Sequence, residues 1–123
     1  MIKIIDNRGT GKTYKLCQYA IENNCDILVP TSHSITYVLN LLEEIAEKDV
    51  NGVVGIIKYK NGAEFVYSDK TYRNCAINIM TPDSLKQSRP PERKLVVDEA
   101  ERVLAYMLAP YGYYYDGYTI SKE

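Results

Sequence analysis

Hydrophobic positions along this chain recur with two different periods, and the switches between them mark out the elements. "MIKIID" (1–6) is a short apolar run closed by polar and glycine residues, the pattern of a buried strand. In "TYKLCQYAIEN" (13–23) Leu16, Cys17 and Ala20 fall on one face at helical spacing. "CDILVPT" (25–31) reads as a second buried strand, stopped by Pro30. In "SHSITYVLNLLEEIAEK" (32–48), Ile35, Val38, Leu41, Leu42 and Ile45 stand three and four residues apart, the clearest helix in the chain. Ser32 or Ser34 is placed to cap its start.

The texture then changes. "GVVGIIKYKNGAEFVYS" (52–68) holds two β-prone runs around Asn61-Gly62, which predicts a hairpin whose type I′ turn needs positive φ at both central residues. "CAINIMTPDSL" (75–85) reads as a buried strand ending in a turn, and "KQSRPPER" (86–93) as a basic loop. "KLVVDEAERVLAYML" (94–108) predicts a strand running into a helix, and "YGYYYDGYTIS" (111–121) one last, polar strand. Strands alternating with helices predict an α/β fold, three layers deep, with a mostly parallel sheet and the hairpin as its antiparallel insertion. Residues 1–123 form one domain, with neither an internal repeat nor a linker long enough to divide it.

Charge and composition narrow the function classes. A net charge of −1 is not the footprint of a protein whose main task is coating nucleic acid. No apolar run approaches the ~20 residues of a membrane helix, and polar residues follow the first strand too soon for a secretory leader, so no membrane is expected. Three cysteines (Cys17, Cys25, Cys75) without CxxC spacing, beside the single histidine His33, make no zinc set and read as reduced thiols in a cytoplasmic protein.

The chemistry-bearing stretch is "DNRGTGKT" (6–13). A phosphate-binding loop needs inward-facing backbone N–H groups, glycines that let the backbone approach, and a helix N-terminus carrying about half a positive charge. It also needs a lysine for the β/γ oxygens and a hydroxyl for Mg²⁺. Gly9, Gly11, Lys12 and Thr13 supply these in order, with Arg8 and Thr10 inside the loop, between a predicted strand and a predicted helix. The full pattern G-x-x-x-x-G-K-[ST] has glycine where this chain has Asp6, at the far end of the loop from Lys12. The second stretch is "KLVVDEA" (94–100). A hydrophobic strand delivers Asp98 to its carboxyl end, where it can hold Mg²⁺, and Glu99 is placed to orient or deprotonate an attacking water. Read alone, those acids would equally serve to complement a helix dipole.

The pair "RGTGKT" and "VVDEA" resembles the RecA-like P-loop ATPases in which a catalytic glutamate directly follows the Mg²⁺ aspartate, the group of superfamily 2 helicases and phage terminases. "ILVPTSHSI" and "INIMTPDSL" are similar to helicase segments that present Thr31 and Thr81 to a nucleic-acid backbone, although both also read as plain strand-end turns. "YKNGAEFVYS" is similar to a terminase hairpin. Over residues 1–108 the resemblance implies a RecA-like fold with ATP and Mg²⁺ as cofactors. Arg8, Gly9, Thr10, Gly11, Lys12 and Thr13 would bind nucleotide, Thr13 and Asp98 the metal, and Glu99, Lys12 and Arg8 would carry catalysis. It further implies a phage or mobile-element origin, a host-cell cytoplasmic setting, and work alongside nucleic acid or a larger machine.

Departures from that family are equally specific. No upstream adenine-reading motif and no second RecA-like domain are expected from this sequence. "GYTIS" (117–121) is the remaining candidate for the strand that carries a polar sensor, Thr119 or Ser121. Charge neutralisation at the γ-phosphate usually takes an arginine, worth on the order of 10³–10⁵ in rate. Arg8 is the preferred candidate, as some terminases place an arginine there, ahead of Arg89, Arg93 and Arg102. Of the 12 tyrosines, Tyr106, Tyr111, Tyr113, Tyr114, Tyr115 and Tyr118 cluster late in the chain. They read first as a half-buried final strand, and otherwise as a patch for a nucleic-acid or protein partner. Three functions stay open: an ATPase, a non-catalytic nucleotide-fold module that regulates or inhibits a protein, and a small-molecule kinase similar to thymidine kinase.

Overall fold

A computed structural model of the chain describes Ile2, Ile4 and residues 11–48, 53–67, 75–85 and 93–119. Helix α1 (Lys12–Asn23) buries Leu16, Cys17, Ala20 and Ile21, and α2 (Ser32–Glu47) buries Ile35, Val38, Leu42 and Ala46. Each stripe follows the 3.6-residue period, so each helix turns one apolar face inward. α1 ends where Asn24 adopts a left-handed conformation (φ 53°), one of the few non-glycine residues that tolerates it. The N-cap of α2 is Thr31, one residue before Ser32 and three before Ser34, the serines expected there. Its hydroxyl meets that of Ser34 at 3.3 Å, and the Ser34 N–H donates to its carbonyl.

Among the described residues five strands form one sheet in the order β2-β3-β4-β1-β5. They are β1 (Asp26–Leu28), β2 (Val53–Tyr59), β3 (Gly62–Tyr67), β4 (Cys75–Met80) and β5 (Leu95–Val97). β1 runs parallel to both β4 and β5, with Ile27 opposite Ile79 on one side and Val96 on the other. The β2–β3 hairpin and its junction with β4 are antiparallel and make the longer ladders. Among the described residues the architecture is therefore α/β with a mixed sheet, parallel on one side of β4 and antiparallel on the other. A four-residue helix α3 (Pro82–Leu85) follows β4, and helix α4 (Ala100–Leu108) follows β5. α1 and α2 lie against each other and against the sheet. Between them Ile27, Val29, Phe65, Ile77, Ile79 and Val96 form the core, with Ile2 and Ile4 packed against it. The rest of the predicted first strand lies outside the described residues. Among the described residues no helix is long and apolar enough to cross a membrane.

The hairpin stands where it was expected, but its turn does not. Tyr59 pairs with Gly62, so Lys60 and Asn61 form the loop. Neither Asn61 nor Gly62 takes positive φ. Gly62 is needed for a different reason: a Cβ there would lie 2.6 Å from the Ile77 carbonyl oxygen of β4. The glycine lets two backbones approach, and the turn chemistry is incidental.

At the amino ends of the parallel strands an ion pair closes the sheet. Asp26, 2% exposed, accepts two bonds from the Arg93 guanidinium, at 3.0 Å from Nε and 2.9 Å from a terminal nitrogen. It also accepts the Asn78 N–H at 3.0 Å, while Arg93 reaches on to the Ala76 carbonyl at 3.0 Å. One side chain thereby ties the approach to β5 to both β1 and β4, in the bidentate geometry only arginine offers.

The expected last strand is absent from 113–119. Residues Ala109–Tyr111 form a 3₁₀ turn, Gly112 takes φ 79°, and the chain turns back along α4 without joining the sheet. The phenols of Tyr115 and Tyr118 hydrogen-bond Glu101, so the tail is held by the helix. The expected half-burial of the tyrosines is overturned with it: Tyr106, Tyr111, Tyr113, Tyr114 and Tyr118 are exposed.

Two substitutions test this account by chemical denaturation. Arg93→Ala leaves a buried carboxylate without its main partner and should cost about 2–3 kcal/mol. That is at or below the low end for a broken buried pair, because Arg93 itself keeps 27% exposure. Gly62→Ala should cost at least about 2 kcal/mol through the clash with β4, a value typical of overpacking.

Candidate functional site

At the carboxyl ends of the parallel strands, the start of α1 faces the junction between β5 and α4. The Asp98 N–H donates to the Leu28 carbonyl at 2.9 Å, which carries the β1–β5 pairing one residue past the strand. That places the Asp98 side chain beside the first turn of α1. There the Thr13 hydroxyl donates to the Asp98 carboxylate, 3.0 Å from Oδ1 and 3.3 Å from Oδ2, joining residues 85 apart in sequence. Lys12 Nζ lies 4.0 Å from Glu99 Oε1.

Local backbone explains why these side chains converge. Gly11, the N-cap of α1, takes φ 77°, a left-handed conformation that glycine adopts without strain. Nothing lies within 4 Å of a Cβ built there, so the requirement is one of dihedral angle and not of space. Glu99 takes φ 52°, unusual for a side-chain-bearing residue, and its carbonyl accepts the Val103 N–H as α4 begins. Backbone conformations of this kind cost on the order of 1–3 kcal/mol and cluster at functional sites. The positive ends of two helix dipoles and the Lys12 ammonium thus surround two adjacent carboxylates.

Asp98 is 8% exposed. Burial pushes its pKa up; the Thr13 hydrogen bond and Lys12 pull the other way, and Glu99 adds to the rise. Cys17, one helical turn beyond Thr13 and 1% exposed, has its thiol pushed up to about 12, first by burial and then by the Asp98 charge. The thiol is therefore neutral and unreactive at pH 7.

A hydroxyl and a carboxylate are hard oxygen donors, suited to Mg²⁺ rather than to a soft metal. Among the described residues no three His, Cys, Asp or Glu side chains stand together as a metal cluster. A cation held by Thr13 and Asp98 would take its remaining ligands from water and phosphate, as Mg²⁺ commonly does. A lysine, a helix N-terminus and a carboxylate within one cluster can bind an anionic group, hold its counter-ion and accept a proton.

Of the residues singled out in the sequence, the structure brings Gly11, Lys12, Thr13, Asp98 and Glu99 together. Arg8, Gly9, Thr10, Arg89 and Ser121 lie outside the described residues. Arg93 belongs to the opposite end of the sheet, on Asp26, and is no candidate for charge neutralisation here. Arg102 is on the exposed surface of α4. Thr31 and Thr81 stand at the carboxyl ends of β1 and β4, bonded to Ser34 and Ser84. Thr119 is exposed and outside the sheet. A concavity of about 290 Å³ at the hairpin tip, lined by Tyr59, Lys60 and Asn78 among others, shares no residue with this cluster.

Compared with protein-family models, with curated proteins and with solved structures, the chain has no match.

The raised pKa of Asp98 fixes the sign of one prediction. A carboxyl that binds its proton more tightly folded than unfolded opposes folding once it ionises, so its cost is absent in acid and grows as pH rises past its unfolded value. Asp98→Asn should therefore raise the Tm by a few degrees at pH 7 in buffer free of divalent cations, and the gain should vanish on acidification below about pH 4. Thermal melts of both proteins across pH test this.

Proposed function

We propose that this chain is a minimal RecA-like P-loop ATPase that binds and hydrolyses Mg-ATP. The observation that supports it most is the Thr13–Asp98 hydrogen bond at 3.0 Å, which joins the two stretches that the reading assigns to one magnesium ion. Lys12, 4.0 Å from Glu99, is the group that would meet the β/γ oxygens. Glu99 would take the proton of the attacking water. Bound Mg²⁺ would neutralise charge developing on the transferred phosphoryl group. Arg8 is the arginine this reading assigns to that charge, since Arg93 is committed to Asp26. The buried thiols Cys17 and Cys25 fit a reducing, cytoplasmic setting.

A second reading keeps the fold but not the catalysis: a module that regulates a protein partner. The exposure of Tyr113 and Tyr114 favours it.

ATP binding by calorimetry and phosphate release under saturating Mg-ATP separate the two. Lys12→Ala should weaken binding roughly tenfold or more, as expected for loss of a charged hydrogen-bond donor. Glu99→Gln should keep binding but lose turnover by roughly 10²–10⁴, the usual contribution of a general base. Binding without turnover in the unmodified chain would favour the regulatory module. No binding at millimolar ATP would sink the ATPase reading and leave the regulatory module standing.

A further inference from the structure

Strand β2 is the last in the sheet on its side, so among the described residues it has a neighbour, β3, along one edge only. Which of its backbone groups face the open edge follows from the β3–β4 ladder. The Ile79 N–H donates to the Asn61 carbonyl at 2.8 Å, one step before Gly62 meets Asn78. Bonding in an antiparallel ladder alternates from pair to pair, so Ala63 and Phe65 bond toward β4, and Gly62, Glu64 and Val66 toward β2. Their partners on β2 are Tyr59, Ile57 and Gly55. Ile56 and Lys58 therefore hold their N–H and C=O groups toward the open edge, a template for another strand.

Side chains alternate across the strand. Ile56 packs against the core and the Lys58 ammonium pairs with Glu43 of α2, so these two face the helices. Gly55, Ile57 and Tyr59 share the other face. There Ile57 is 47% and Tyr59 55% exposed, and nothing lies within 4 Å of a Cβ built on Gly55. Native edges are commonly blunted by lysines and by bulges. Here Lys58 is drawn onto Glu43, and the irregularity lies between Val53 and Gly55, which leaves 55–59 a regular ladder.

This edge is complementary to itself. Turned about a two-fold axis through Ile57, a second β2 sets its Lys58 opposite Ile56 and its Ile56 opposite Lys58, the residues whose backbone groups point outward. Ile57 then meets Ile57 across the axis, a β-branched pair. Tyr59, whose hydroxyl donates to Glu64 at 3.0 Å in the single chain, stands opposite Gly55 of the second copy, where no side chain obstructs its ring. An aromatic opposite an edge glycine is a pairing that shields the glycine backbone. An axis one residue nearer the turn would set Lys58 against Lys58, like charges directly opposite. One residue the other way, Tyr59 would meet Val53, across the irregularity.

We propose that the β2 edge joins two copies of this chain, antiparallel about Ile57, into one continuous sheet. The pairing uses no residue of the Lys12–Asp98 cluster, so it stands or falls separately from ATP binding.

Sedimentation equilibrium of the full chain from about 5 to 500 µM tests this, with dimer expected toward the upper end because one strand pair is a small interface. Ile57→Lys and Ile57→Glu each place like charges on the axis and should weaken self-association about fivefold or more. Neither touches the core, in which Ile57 has no part. Mixed in equal amounts, the two variants should recover the dimer, because position 57 faces itself in this register alone. Lys58→Pro removes a donor from the open edge and none from the β2–β3 ladder, and should also weaken the dimer. Three results would overturn the proposal: a monomer across the whole range, a dimer that none of these substitutions weakens, or charged variants that stay monomeric when mixed.

Discussion

Asp98 is a carboxylate taken out of water without a full counter-charge, and the carboxyl end of the sheet is arranged around that fact. Its position follows from the parallel pairing of β1 with β5, which continues through the Asp98 N–H to Leu28. Its charge is tolerated because the Thr13 hydroxyl donates to it and Lys12 stands nearby. The left-handed backbone at Gly11 and at Glu99 brings the two helix starts to the same point. Remove the pairing, and neither the hydroxyl nor the lysine has an acid to meet. A buried, under-compensated carboxylate beside a hydroxyl is the arrangement that the proposed Mg-nucleotide chemistry calls for.

The opposite ends of the same strands treat a carboxylate differently. Asp26 is more deeply buried still, but a bidentate guanidinium and a backbone N–H saturate its oxygens. One end of the parallel unit is closed for stability, and the other is left with unmatched charge. This division follows the general rule that ligands of open α/β sheets gather at the carboxyl ends of strands. It also explains why two arginines that look alike in sequence, Arg93 and Arg102, have unrelated surroundings.

The tail adds a third environment. Glu101, in the first turn of α4, receives both clasping phenols, while Glu99 two residues earlier meets Lys12. The clasped tail and the candidate nucleotide site therefore share one helix start.

Much of this was legible in short stretches. The stripes of α1 and α2, the hairpin, and the strand ending at Asp98 follow from local periodicity, because burial of one face imposes a period that any single window reveals. That Lys12, Thr13, Asp98 and Glu99 stand together was legible because the two stretches that hold them carry paired residue signatures. What the sequence could not decide depends on contacts between distant residues. Gly62 read as a turn residue, yet it answers to the Ile77 carbonyl of β4. Arg93 read as a candidate for phosphate, yet a buried Asp26 lies nearer. The late tyrosines have the propensity of a strand, yet hydrogen bonds from Tyr115 and Tyr118 to Glu101 hold them to a helix. Propensity and periodicity are properties of a window, so the chain by itself determined most of its helices and strands and which residues stand at their junctions. Close approach, charge pairing and the partner of a free edge are properties of the assembled sheet, and only the tertiary structure decided those.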